Sequence, residues 1–123
     1  MIIIESLNYI VLTVSNLENS IEFYKDLFDF EVIHKYSDAG KAVLRIGDIV
    51  IELNEVDGYK AAEDTMSAIA FYIDEEDFED ALSEIEDIEI EIVYGPENIR
   101  NGQTVIFLDP DENRIELSYP KIS

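Results

Sequence analysis

The chain has 123 residues, with eight Lys and Arg against 29 Asp and Glu, and a formal net charge of −21. At 14.1 kDa and 47% hydrophobic residues it is long and apolar enough for one globular domain with a proper core. So acidic a body repels phosphate backbones and anionic bilayers, which argues against nucleic acid or membrane as a partner, and draws in cationic small molecules at low salt.

There is no cysteine, which removes disulfides, thiolate nucleophiles and sulfur-ligated zinc together. The single histidine, His34, argues against a His-rich metal site and against a Ser-His-Asp triad. The start, Met1-Ile2-Ile3-Ile4-Glu5, lacks a basic segment ahead of a long apolar one, so no secretory signal is expected there. No apolar run approaches the roughly 20 residues that cross a bilayer. A soluble, cytoplasmic protein is the expectation.

In chain order, Leu7 to Val14 is apolar and β-branched and predicts a strand. Ser15-Asn16-Leu17-Glu18 follows as a capping box with Ser15 at the N-cap. Leu17, Ile21, Tyr24 and Phe28 then fall on one helical face. Three strands are predicted next, over Phe30–Tyr36, Lys41–Ile46 and Ile49–Asn54, the last two joined by a Gly47-Asp48 turn. The segment from Val56 to Ser67 is polar and carries Gly58.

The same order then recurs. Ala68 to Ile73 predicts a strand, and Asp74 caps a helix whose buried stripe is Phe78, Leu82 and Ile85, with Asp77 in its acidic first turn. Ile88 to Tyr94 alternates Ile with Glu, a period-two strand signal that Gly95-Pro96 breaks. Gln103–Leu108 and Asn113–Tyr119 are the last predicted strands, around a turn at Asp109-Pro110-Asp111-Glu112. Ile-Glu-Leu closes a strand in each half, and Glu52 and Glu116 lie 64 residues apart. An internal duplication with a period of about 60 residues follows, each unit β-α-β-β-β. The expected boundaries are 1–57 for the first module, 58–66 for the linker and 67–123 for the second, within one domain.

The segments LNYIVLTVSNLENSIEFYKDLFDFEV, IVIEL, AIAFYID and FLDPDENRIEL, in that order, resemble the glyoxalase / bleomycin resistance / dioxygenase superfamily, the vicinal oxygen chelate fold. The resemblance spans essentially the whole chain. It implies an α+β protein of two βαβββ modules whose curved sheets form a cleft, often completed by a second subunit, so a homodimer is expected. In metal-dependent members of the family, a divalent ion binds one side chain from the first and last strand of each module, usually two His and two Glu. Carried over position by position, the first His is Tyr9 here, the first Glu is Glu52, the second His is Ala68 and the second Glu is Glu116. Both carboxylates are kept and both imidazoles are replaced.

Strand parity sets Tyr9, Val11 and Thr13 opposite Ile10, Leu12 and Val14, and puts Val50, Glu52 and Asn54 on the cleft side. Ala68, Ala70 and Tyr72 share that side in the second module, as do Arg114, Glu116 and Ser118. A Glu between apolar neighbours needs a partner. Arg114, Arg45, a protonated Glu116 or a cation can serve Glu52. An oxygen-only donor set suits Mg²⁺, Mn²⁺ or Ca²⁺ better than Zn²⁺ or Ni²⁺. A carboxylate pair with no metal at all is the competing expectation. Phe30, Val32, His34 and Tyr36 share a parity; facing the cleft, His34 would bind ligand or act as a base near neutral pH, and otherwise it is a rim histidine. Tyr9, Tyr72 and Phe107, with Tyr36 and Tyr94, suggest an aromatic-walled cleft with an acidic floor, suited to a flat or cationic molecule.

Three functions compete. The first is a small-molecule binding protein without essential metal, with Tyr9, His34, Tyr72, Arg114 and Phe107 contacting ligand. The second is a metal-dependent lyase or isomerase of the lactoylglutathione lyase type, with Glu52 and Glu116 as ligands and catalytic groups. The third is a pseudoenzyme or interaction subunit.

Overall fold

Large apolar residues on alternate positions drive the first strand, β1 (Ile10–Val14), to bury Val14 on one side while Val11 stays exposed on the other. The computed structural model describes residues 1–122, and the chain divides into two compact units, Met1–Lys60 and the part from Ala61 onward. The first unit continues with α1 (Leu17–Phe28), β2 (Glu31–Tyr36), β3 (Lys41–Ile46) and β4 (Ile49–Glu55). Its sheet runs β1-β4-β3-β2, with β1 parallel to β4 and the other pairs antiparallel. The helix packs on β3 and β4. Leu17, Ile21 and Tyr24 bury against Ala42, Leu44, Ile51 and Leu53, while Phe28 is half-buried at the end of the stripe. There its ring meets those of Tyr24 and Phe30, each at a centroid distance of 6.1 Å.

The cap of α1 lies one residue later than the capping box predicts. Asn16, not Ser15, has the extended N-cap backbone, and its Oδ1 accepts the Asn19 N–H at 3.0 Å. The tertiary fold explains the shift. Starting the helix at Leu17 leaves the Leu17 N–H as the first orphan donor, and Glu55 from the end of β4 accepts it at 2.8 Å. A carboxylate at that end also suits the helix dipole. Asn16→Ala is therefore expected to cost about 1 kcal/mol in urea denaturation, and Ser15→Ala less than about 0.5 kcal/mol. Equal losses would return the cap to Ser15.

One irregularity in β2 matters for the site. Val32 pairs with buried Leu44, but His34 pairs with Val43, so Ile33 is an extra residue in the ladder. This bulge inverts the parity partway along the strand. Phe30 and Val32 belong to the helix side, whereas His34 and Tyr36 belong to the open face, so the four do not share one side as parity alone predicts.

The second unit has β5 (Ala68–Tyr72), α2 (Glu75–Asp87), β6 (Ile92–Ile99), β7 (Gly102–Leu108) and β8 (Arg114–Tyr119). Its sheet runs β5-β8-β7-β6, again with the first pair parallel. The chain is thus α+β, with two four-stranded sheets and a βαβββ order in each unit. Phe78 and Ile85 are the buried stripe of α2, with Leu82 half-buried. Asp74 holds the N-cap position but makes no capping bond; its carboxylate takes the Tyr72 hydroxyl instead.

The Ile/Glu alternation does not become a strand where it starts. The Ile88 N–H donates to Glu84 O and the Ile90 N–H to Ile85 O, so both are spent closing α2, and Glu89 turns the chain at φ 59°. The strand begins at Ile92 and runs through Gly95-Pro96 to Ile99, with register shifts between Ile92 and Tyr94 and between Tyr94 and Glu97. Pro96 has no N–H for a ladder, and a bulged stretch is where a strand tolerates it. The Asp109-Pro110-Asp111-Glu112 turn is held from within. Asp109 Oδ1 accepts the N–H groups of Asp111 and Asn113, and Oδ2 accepts the Asn113 side-chain amide.

Candidate functional site

In the first unit, the face of the sheet away from α1 carries two rows that hold its polar side chains. One row crosses the strands as Val11, Glu52, Val43 and His34, and the next as Thr13, Asn54, Lys41 and Tyr36. Glu52 is the central charge, its side chain 19% exposed. Its Oε1 accepts the Asn54 Nδ2 amide at 3.0 Å and lies 3.9 Å from Lys41 Nζ. The partner of Glu52 in this sheet is therefore Lys41, with Asn54, and Arg45, one of the alternatives named for it, forms no ion pair with it. Lys41 was legible in principle: counting back from the Gly47-Asp48 turn sets Lys41 opposite Asn54. The His34 and Tyr36 rings stack at 6.0 Å beside this group. Tyr9 precedes β1 and is exposed.

The second sheet repeats the pattern with different residues. Its open face carries a row of Ala70, Glu116, Ile106 and Tyr94, flanked by Tyr72, Ser118, Thr104 and Glu97 on one side and by Ala68, Arg114 and Leu108 on the other. Glu116 takes the place of Glu52, and Tyr94 that of His34, after a bulge at the same point of the strand. Among the described residues no hydrogen bond or ion pair holds Glu116. The Arg114 Nε and the Thr104 hydroxyl are buried without a partner, and sequence reasoning did not single out Thr104. Tyr72 is already engaged: its hydroxyl donates to Asp74 at 2.6 Å, and the Lys121 ammonium sits 5.2 Å from the ring centroid. That hydrogen bond first, and then burial and the Asp74 charge, push the Tyr72 hydroxyl above its ordinary pKa of 10.0.

Phe107 is not part of this surface. It pairs with Ile92 on one side and Ile115 on the other, is 0% exposed, and faces the helix. The parity of β7 runs through Thr104 and Ile106 on the open face, so Phe107 is a core residue and not a ligand contact.

A model of the glyoxalase/bleomycin resistance protein/dioxygenase superfamily matches residues 6–117. The chain belongs to this superfamily. A metallothiol transferase FosB from Staphylococcus epidermidis is 37% identical over 117 residues, which cover 93% of this chain and 81% of that protein. A glutathione transferase FosA from Serratia marcescens is 31% identical over 93% of this chain and 80% of its own length. Among solved structures, the fosfomycin resistance protein FosX from Mesorhizobium loti superposes with a TM-score of 0.81 at 26% identity, covering 98% of this chain and 96% of that one. FosX from Listeria monocytogenes, solved with Mn(II) and sulfate, gives a TM-score of 0.85 at 25% identity, covering 98% and 94%.

The superfamily's divalent metal does not fit the residues present. Of the four positions the resemblance points to, Tyr9 offers a weak neutral phenol and Ala68 offers no donor. Glu52 already faces an ammonium and an amide, which compete with a metal for the carboxylate. No group of three or more His, Cys, Asp or Glu among the described residues is placed to hold an ion. No helix among them is long and apolar enough to cross a membrane.

Proposed function

We propose that the chain binds a small cationic or aromatic organic molecule on the open faces of its sheets, and does so without a metal. Glu52 and His34 in the first unit, with Tyr9 just ahead of β1, are the ligand contacts there. Tyr72, Arg114 and Glu116 are the contacts in the second. The observation that carries this reading is the state of Glu52, whose carboxylate accepts from Asn54 and lies 3.9 Å from the Lys41 ammonium, at a position where the superfamily's metal-dependent members place a ligand. The relatives' names, which include fosfomycin resistance proteins, support a small-molecule ligand as the class. The formal charge of −21 favours a cation over an anion.

A second reading has one observation in its favour. Glu52 and Glu116 occupy equivalent places in the two sheets, and metallothiol and glutathione transferases are among the relatives. On that reading the protein is a metal-dependent enzyme with an altered ligand set.

Thermal melts of chelator-stripped protein separate the two. Specific binding at a hundred times the dissociation constant adds about 2.7 kcal/mol, a shift of several degrees for a chain this size. Divalent ions are expected to shift the wild type and the Glu52→Gln/Glu116→Gln variant alike, by screening alone, while basic aromatic compounds stabilise the chelator-treated wild type. An ion that stabilises only the wild type by several degrees replaces the first reading with the second.

A further inference from the structure

The open face of the first sheet shows which part of a ligand it would hold, an inference that rests on the binding reading above. The Glu52 carboxylate is used on one side only. Oε1 accepts from Asn54, whereas no hydrogen bond to Oε2 is present among the described residues. Lys41 neutralises the group from 3.9 Å, beyond the 2.7–3.2 Å of an N–H···O hydrogen bond, and its side chain is 51% exposed. It is a loose counter-ion.

Asn54 shows that the group is organised around the charge. Its amide points Nδ2 at Glu52 and leaves Oδ1 buried with no donor. The flipped amide would set an oxygen against the carboxylate, so the orphaned oxygen is the consequence of fixing Glu52 in place.

Beyond Val43 along the same row stands His34, its ring stacked on that of Tyr36 from the neighbouring row, and both are exposed. Two strand spacings separate His34 from Glu52, about 10 Å. A half-used, prepositioned carboxylate and an exposed aromatic pair, with Val43 between Glu52 and His34, match an aryl-alkyl ammonium ion. We infer that this face is an ammonium subsite, in which the ligand's –NH₃⁺ binds Glu52, its ring lies against His34 and Tyr36, and Lys41 is an internal ammonium that the ligand displaces.

The test uses 4-phenylbutylamine, charged at neutral pH, and 4-phenylbutan-1-ol, its neutral counterpart, titrated calorimetrically and by amide NMR at fixed salt. The wild type should bind the amine at least tenfold more tightly, with shifts at residues 34, 43 and 52. Glu52→Gln should erase that preference. Lys41→Gln should strengthen amine binding severalfold, because the competitor is gone. Glu84→Gln, a carboxylate on α2, should leave it unchanged and so exclude general attraction to an acidic surface. A preference that survives Glu52→Gln, that weakens in Lys41→Gln, or that falls equally in Glu84→Gln overturns the subsite. Equal binding of both probes to the wild type overturns the subsite and leaves metal-free binding of small molecules standing. Binding of neither overturns it too, and the melts with basic aromatic compounds then decide the broader reading separately.

Discussion

Phe107→Ala is expected to destabilise the second unit by about 3–5 kcal/mol, the cost of truncating a fully buried aromatic ring. The ring is 0% exposed and sits between Ile92 and Ile115 in the ladder, on the side of the sheet that carries Phe78 and Ile85 from α2 in the buried core. Removing it leaves a cavity that rigid strands on both sides cannot close. Tyr94→Ala on the opposite face is the comparison. Tyr94 is 45% exposed, and its loss should change stability by no more than about 0.5 kcal/mol. Chemical denaturation of the two variants checks this. A small loss for Phe107→Ala, with a weakened ligand response, would return the residue to the binding surface.

Gly95→Ala is expected to cost about 2–4 kcal/mol, the sum of backbone strain and overlap. Gly95 has φ 84°, in the left-handed region that side chains avoid. A methyl group there would also stand 2.5 Å from the Thr104 carbonyl oxygen, on the neighbouring strand β7, and 3.3 Å from Val105 Cα. Backbone cannot move aside as a flexible side chain can. Gly58→Ala isolates the first term, because Gly58 has φ 76° with nothing within 4 Å of the added carbon. That variant should lose only about 1–2 kcal/mol. If the two losses are equal in urea titrations, the close approach to β7 carries no energy.

The two glycines show where local signals lead and where they stop. Gly95-Pro96 has the composition of a strand breaker, and by local rules it ends β6. In the fold it is absorbed as a bulge, because β7 offers partners on both sides of it, at Tyr94 and at Glu97. The Ile88–Tyr94 alternation misled in the opposite direction. Its first backbone donors close the helix before it, which periodicity cannot see. Similarly, Ser15 and Asn16 are near-equal caps by chemistry, and Glu55, 38 residues from Leu17 in the chain, accepts the amide that a start at Leu17 leaves open.

The site follows the same division. Glu52, Glu116, Arg114 and Tyr72 were placed on their faces by simple alternation, since β4, β5 and β8 pair without a bulge. His34 and Phe107 were not. His34 reached the open face only through the bulge at Ile33, and Phe107 went to the core because the true register of β7 puts it beside Ile115. Lys41 was missed as the partner of Glu52, because a neutralising charge at the far end of β3 from the turn is chosen by register and not by composition.

What the sequence determined by itself is the duplicated βαβββ order, the apolar faces of both helices, the parity of the regular strands, and the absence of imidazole at the two positions that match the His ligands of the superfamily's metal-dependent members. These are properties of local period and residue type, and each is set within a few residues. Only the tertiary structure decided which donor meets which carboxylate, where the bulges invert a face, and which aromatic rings are core. Those depend on register between strands distant in the chain, where a slip of one residue exchanges inside for outside.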